Sequence, residues 1–319
     1  MSDTMSVIKF GMIADIQYVD ADDATDFTGK QKRSYRNSLE VVKKAVKRWS
    51  EGEGVQFVAQ LGDLVDGKAR TNGTEVADCE KVLEELHKCK SKSLINIIGN
   101  HDLYNFKRHQ LEGLLKTKTD GATWYSFRPS ASSPLRVIVL DSYDVSTIEG
   151  STEENTKAAS TFLSQHNPND IHTFGVDWSA GLEGTERRFV PYGGLMGNVQ
   201  LSWLKHTLTA ASAAGETAVI LLHTPLCPGA CNPLCLLWNY HDVLDIIKES
   251  GSVVAVFAGH DHDGGYLFQD GVHHFTLPSP LLCVGEELAF ATVDLFKDKL
   301  VVKMEGDRLP QEVEIPFHA

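Results

Sequence analysis

The chain of 319 residues carries 30 basic and 43 acidic side chains, a net charge of −13, with 42% hydrophobic and 23% charged residues. This composition excludes wholesale disorder, and a chain of this length buries a core without disulfides or a structural metal. The acidic balance argues against a protein that coats nucleic acid or an anionic membrane, although a local positive site can still take a small anion.

Residues 6–14 form an apolar run ending in Asp15, the pattern of a buried strand running into a loop. Helical spacing over 35–49 and 75–89 alternates with apolar runs at 57–61 and 94–98. Strand, helix, strand, helix, strand predicts a parallel sheet with crossover helices. Further strands are predicted at 123–127 and 136–140. Residues 142–194 are rich in Ser, Thr, Asn and Gly with weak periodicity, and read as an insertion with a functional role. A helix at 198–214, a strand at 217–222, a helix at 240–249 and a strand at 253–258 follow. Antiparallel strands are predicted at 266–269, 272–277, 288–295 and 300–304. No internal repeat or linker divides the chain, so residues 1–319 are expected to form a single domain.

Residues 1–9 lack a basic region followed by an apolar run, and no stretch approaches the roughly 18 apolar residues of a membrane helix. A cytoplasmic protein with no membrane partner is expected. The six cysteines, Cys79, Cys89, Cys227, Cys231, Cys235 and Cys283, are then reduced thiols. Cys227, Cys231 and Cys235 recur every four residues but lack paired C-x2-C knuckles, and Pro228 and Pro233 interrupt them. They read as free thiols in a loop rather than a zinc site.

Five of the apolar strands end in polar clusters: Asp15-Ile16-Gln17, Gly62-Asp63-Leu64-Val65-Asp66, Gly99-Asn100-His101-Asp102, His223-Thr224-Pro225 and Gly259-His260-Asp261-His262. Singly, each has an ordinary structural reading as a cap, a turn or a hydrogen-bonded histidine. Together, at strand ends, they bring carboxylates, amides and imidazoles to one rim, where ligands of open α/β sheets bind. The glycines let the backbone turn sharply out of each strand. Asp102 and Asp261 are expected to cap or support rather than to ligate.

In order, these blocks resemble the signature of the calcineurin-like metallophosphoesterases: D-x-[H/Q], GDxxD, GNH[D/E], H and GHxH. The match runs from Asp15 to His262. More narrowly, Gln17, the run Gly99-Asn100-His101-Asp102-Leu103-Tyr104-Asn105-Phe106 and Leu237-Trp238-Asn239-Tyr240 resemble the manganese-dependent ADP-ribose/CDP-alcohol diphosphatases. The resemblance implies a four-layer α/β/β/α fold, a central β-sandwich flanked by helices, with two metals at the sheet rim. It implies one metal held by Asp15, Gln17, Asp63 and His262, and a second by Asp63, Asn100, His223 and His260, with Asp63 bridging. His101 would be the catalytic residue beside the metals, as an imidazolium, and Asp66 would orient it.

An oxygen and nitrogen donor set without thiolate suits Mn²⁺, with Mg²⁺, Zn²⁺ or Fe²⁺ as other occupants. Most of the superfamily has His where this chain has Gln17. The neutral, harder amide oxygen is expected to weaken that site and tilt it toward Mn²⁺ or Mg²⁺. The implied reaction is hydrolysis of the pyrophosphate bond of ADP-ribose, CDP-alcohols and related nucleoside diphosphate derivatives, by in-line attack of a metal-bridging hydroxide. The alternatives on the same scaffold are a phosphomonoesterase, a cyclic nucleotide phosphodiesterase, or a non-enzymatic binding scaffold. A nuclease is disfavoured, because no basic stripe is present to hold a strand. For the nucleotide, the loop after Gln17 offers Phe27 with Lys30, Lys32, Arg33 and Arg36, an aromatic and basic set suited to a base and a second phosphate. Phe27, Arg36, Leu182 and Cys235 are the candidate substrate contacts, whereas Trp238 and Tyr240 read as core anchors. The expected state is a monomer acting on a small nucleotide, with no nucleic-acid partner.

Overall fold

A computed structural model gives the fold and describes residues 8–317 except 27–28, 92, 117–121 and 174. In chain order the strands are β1 (Ile8–Ile13), β2 (Ala24–Thr25), β3 (Lys32–Arg33), β4 (Phe57–Gln60), β5 (Ser93–Asn96), β6 (Tyr125–Phe127), β7 (Leu135–Val139), β8 (Thr217–Leu221), β9 (Val253–Ala258), β10 (Gly265–Gln269), β11 (Val272–Thr276), β12 (Phe290–Leu295), β13 (Lys299–Glu305) and β14 (Glu312–Pro316). The helices are α1 (Tyr35–Trp49), α2 (Lys68–Asn72), α3 (Glu75–His87), α4 (Asn100–Asn105), α5 (Arg108–Leu115), α6 (Glu153–His166), α7 (Asn198–Ala213) and α8 (Tyr240–Ser250).

One six-stranded sheet has the order β14-β13-β12-β1-β4-β5, with β1, β4 and β5 parallel and β12 to β14 antiparallel. The other has the order β10-β11-β9-β8-β7-β6, with β7, β8, β9 and β11 parallel. The alternation along β1 shows how the layers form, because successive side chains point to opposite faces. Ile8, Phe10 and Met12 enter the core shared with Val137, Val219, Phe257 and Phe275 of the opposite sheet, and Ile13 faces the helices. The parallel register sets Phe10 against Phe57, whose rings stack at 4.6 Å.

Outside the first sheet, α1, α3 and α5 cover its face through Val42, Trp49, Val82 and Leu111. Outside the second, Leu204 and Leu208 of α7 and Val243 and Ile247 of α8 pack on Ile138, Ile220 and Val256. The result is the expected four-layer α/β/β/α arrangement. Trp49 lies flat on β1 because Gly11 has no side chain; a Cβ there would sit 2.4 Å from the indole. Truncating such a buried Trp costs about 3–5 kcal/mol.

Residues 142–194 are more ordered than their composition suggests. They contain the 14-residue helix α6, whose N-cap Thr152 hydroxyl accepts from the Asn155 amide. Ala159 and Leu163 of α6 join Val145, Ile171, Phe189 and Trp238 in a small separate core. The sequence hides this helix because Ser, Thr and Asn are weak helix formers, and only a narrow stripe of it is buried. Among the described residues, no helix is long and apolar enough to cross a membrane.

Candidate metal centre

Asp15 and Gln17 follow β1, Asp63 follows β4, Asn100 follows β5, His223 follows β8 and His260 follows β9. Backbone hydrogen bonds bring these ends together: Asp15 N donates to Gly62 O at 3.0 Å, Gln17 N to Asp63 O at 2.9 Å, and Gly259 N to His223 O at 2.8 Å. The two sheets are joined at the rim by His260 N, which donates to Asp15 Oδ2 at 2.8 Å. Four of these residues, Asp15, Gln17, Asp63 and His260, have φ between 44° and 70°. A left-handed backbone at non-glycine residues costs roughly 1 kcal/mol or more each and is tolerated where the side chain must be aimed. Gly62 also has a left-handed φ, of 109°, and a Cβ there would strike His223 Nδ1 at 2.2 Å. At Gly99 and Gly259 the requirement is space, since a Cβ would meet Asp63 Oδ1 at 2.1 Å or Asp15 Oδ2 at 2.4 Å.

Asp63, His223 and His260 bring donor atoms within 4.8 Å of one another. His223 Nδ1 faces the Leu61 carbonyl at 2.8 Å, so it carries the ring proton and leaves Nε2 as a bare lone pair. That lone pair lies 3.3 Å from Asn100 Oδ1 and 3.6 Å from Asp63 Oδ2. Burial holds the imidazole neutral, pushing His223 down to about 4, so Nε2 faces the Asn100 and Asp63 oxygens as an acceptor. Gln17 Nε2 reaches Asp63 Oδ2 at 3.0 Å and His262 Nε2 at 2.8 Å, and His262 Nε2 is 3.7 Å from Asp15 Oδ1. Asp15 Oδ1, Gln17 Oε1 and His260 Nε2 are buried without a hydrogen-bond partner. Buried polar atoms are rarely orphaned, and a convergent set of acceptors is what a divalent cation satisfies.

Burial is the largest influence on the titration of Asp15, Asp63, His260 and His262. It raises Asp15 well above the usual carboxylate range, with the Asp63 charge adding to it, and it pushes Asp63 up to about 8. It lowers His260 well below the usual imidazole range and His262 to about 3. The donor set therefore fits hard or borderline divalent ions such as Mn²⁺.

A family model described as calcineurin-like phosphoesterase matches residues 8–264. The chain belongs to the calcineurin-like phosphoesterase family. It is 38% identical to the manganese-dependent ADP-ribose/CDP-alcohol diphosphatase of Arabidopsis thaliana, over 92% of this chain and 93% of that one. The protein of the same name from Danio rerio is 36% identical over 94% of this chain and 96% of its own. The crystal structure of a dimetal phosphatase from Danio rerio superposes with a TM-score of 0.89 at 34% identity, covering 98% of this chain and 100% of that one.

Within this calcineurin-like phosphoesterase, Asn100, His101 and Asp102 occupy the first turn of α4. Asp102 accepts the backbone amides of Gly99, Asp63 and Leu64 at 2.8, 2.9 and 3.0 Å, which fixes both loops that carry candidate ligands. Asp261 accepts the Asn232 amide and ties down the Cys/Pro loop. Both act as the supports expected of them.

His101 Nδ1 accepts the Gly67 amide at 3.0 Å, and Asp66 Oδ2 is further away at 3.5 Å. Asp66 is engaged more closely by Arg33, at 2.8 Å. Burial and then Arg33 press His101 well below the usual imidazole range, so the side chain is a neutral imidazole rather than the imidazolium anticipated.

The remaining candidates divide. Cys235 Sγ lies 4.0 Å from the His260 carbonyl, at the rim, with its thiol kept neutral by burial and by Asp261. Leu182 sits half-buried in the turn after Ser179, its amide donating to the Ser179 carbonyl at 3.0 Å. Phe27 lies outside the described residues. Arg36 points to Asp20 and Asp22 at 2.6 and 2.8 Å and is 54% exposed, because these two surface carboxylates hold it. Arg33, on β3, is the basic side chain turned toward the site, 16% exposed. Sequence reasoning singled out neither Tyr143, whose hydroxyl donates to Asn100 Oδ1 at 3.1 Å, nor Tyr192, whose ring centroid is 5.9 Å from that of His260. Neither tyrosine belongs to a motif. Trp238 is the expected core anchor, stacked on Phe162.

Proposed function

We propose that this enzyme hydrolyses the pyrophosphate bond of ADP-ribose, CDP-alcohols and related nucleoside diphosphate derivatives with Mn²⁺. The observation that carries this reading is the buried convergence of Asp63, His223 and His260 at the junction of the two sheets, in a chain that aligns nearly end to end with relatives of that name. Asp15, Gln17, Asp63 and His262 would hold one ion, and Asp63, Asn100, His223 and His260 the other. When bound, the ions supply Lewis acidity, making water nucleophilic near neutral pH and neutralising charge that develops at phosphorus.

The chain's own residues do the rest. Asp102 holds the Asp63 and Asn100 loops in register. With Nδ1 accepting from Gly67, neutral His101 carries its proton on Nε2, and that N–H donates to a phosphoryl or leaving-group oxygen. Arg33, held by Asp66, offers its guanidinium to the second phosphate, which distinguishes a diphosphate from a monoester. Free thiols at all six cysteines support a reducing, cytoplasmic setting, and the −13 charge supports a small nucleotide rather than a nucleic acid as substrate. A monomer is the state this reading takes.

The test is product analysis with Mn²⁺. ADP-ribose is expected to give AMP and ribose 5-phosphate. Release only of terminal phosphate from monoesters would overturn the proposal.

A further inference from the structure

Tyr143 lies just beyond the end of β7, on the sheet opposite the one that carries Asn100, and is fully buried. Its position is fixed from both sides. Asp141 Oδ1 accepts the Tyr143 amide at 2.8 Å, and Arg108 Nη2 donates to the Tyr143 carbonyl at 2.5 Å. Asp141 is itself held by Arg108 Nη1 at 2.7 Å and Thr123 Oγ1 at 2.6 Å, and exchanges hydrogen bonds with the Gln200 side chain through its backbone. This much polar structure around one turn leaves the phenol a single place to go, and it reaches across to Asn100 Oδ1 at 3.1 Å.

We infer that Tyr143 is a positioning residue that holds the Asn100 amide with its oxygen, rather than its nitrogen, toward the cation site. This rests on the reading of Asn100 as a metal ligand. An asparagine amide can turn over, exchanging an acceptor for a donor. With nitrogen inward, Asn100 would donate to the bare Nε2 of His223, 3.3 Å away, and plug a second ligand at the same time. With oxygen inward, two acceptors face each other, an arrangement that repels until a cation lies between them. Tyr143 decides between the two. Its hydroxyl proton needs an acceptor in a buried place, and Asn100 Oδ1 provides it; turning the amide over would orphan that proton. The Tyr104 ring sits edge-on to His101, the residue after Asn100. The amide is therefore steadied by a deeply anchored phenol.

The experiment is calorimetric titration of Mn²⁺ into chelator-treated full-length protein, for Tyr143→Phe made in the native chain and in an Asn100→Asp background. A carboxylate presents oxygen whichever way it turns, so it does not need the phenol to choose. The expected result is about a tenfold weaker Mn²⁺ dissociation constant at one site for Tyr143→Phe, the scale of outer hydrogen bonds to metal ligands. No further weakening is expected when Asn100→Asp is already present. Melting of the metal-free variants checks that each is folded. Native Mn²⁺ affinity in Tyr143→Phe, or equal weakening in both backgrounds, overturns the inference. Asn100→Ala separates the two readings. If it binds Mn²⁺ normally, the ligand reading falls and the inference with it; if it binds weakly while Tyr143→Phe binds normally, the inference alone falls.

Discussion

The strand ends of the first sheet carry oxygen donors, Asp15, Gln17, Asp63 and Asn100, whereas those of the second carry imidazoles, His223, His260 and His262. Burial acts on the two halves in opposite senses. It raises the carboxylates and lowers the imidazoles, because each loses its charged form when water is removed. At neutral pH the imidazole half is already deprotonated and set to bind. The carboxylate half holds protons that a cation must displace. In the proposed metal centre, binding would be prepared by one sheet and driven by the other, with Asp63, within reach of both, coupling them.

The comparison breaks most sharply at Asp63. Asp63→Asn keeps the shape and removes the shared charge; Mn²⁺-dependent turnover is expected to fall about 10³-fold or more, roughly 4 kcal/mol of barrier. A variant with native kcat at saturating Mn²⁺ would contradict its coupling role. His101→Ala is next. It should leave Mn²⁺ affinity intact and lower kcat by about 10²–10⁴-fold, the range for a lost proton donor. Loss of metal with normal turnover per bound ion would contradict the donor role. Arg33→Ala should weaken kcat/KM for ADP-ribose by about 10–100-fold, the loss of a charge-assisted contact. Arg36→Ala, whose partners are Asp20 and Asp22, should stay within about twofold. Equal effects at the two arginines would refute the assignment.

The sequence foretold the rim and missed much of its support, for reasons visible residue by residue. Asp15, Asp63 and His260 stand just past uniformly apolar strands, so the change from buried run to polar cluster marks them. Tyr143 follows an equally apolar strand but sits among Asp141, Ser142 and Asp144, which read as an ordinary loop; its partner Asn100 is 43 residues away and on the other sheet. The choice between Arg33 and Arg36 was hidden for a different reason. In the ribbon of β2 and β3, Lys32 turns outward to Asp23 and Arg33 turns to Asp66, an alternation set by a register no composition reveals. Helix α6 was lost to its polar surface, although Thr152 followed by Glu153 and Glu154 carried its start signal.

A smaller effect separates the two halves by pH. In metal-free protein Asp63 stands at about 8 and Asp102 at about 7, both raised by burial, above the roughly 3.9 of an unfolded Asp. The folded chain then holds protons that the unfolded chain has released, so stability falls as pH rises from about 4 to 8. The lowered histidines act oppositely: their contribution is present above about 6.5 and is lost as pH falls toward the folded value of about 4 at His223. Between pH 6.5 and 8 only the carboxylates act. The metal-free Tm should decline across that window, and Asp63→Asn should flatten the decline. A flat profile in the native chain would contradict the burial of charge proposed for the first sheet. Smallest of all, Gln17→His should shift metal preference away from Mn²⁺ by a few-fold, and an unchanged preference would remove Gln17 from the site.

The central claim is that two ions lie between the sheets and share Asp63. Equilibrium dialysis of chelator-treated protein against Mn²⁺ tests it directly, comparing the native chain with Asp15→Asn, His260→Ala and Asp63→Asn. The account predicts two ions bound by the native chain, one retained by Asp15→Asn and by His260→Ala, and both weakened by Asp63→Asn. Two ions held at native affinity by Asp63→Asn would contradict it.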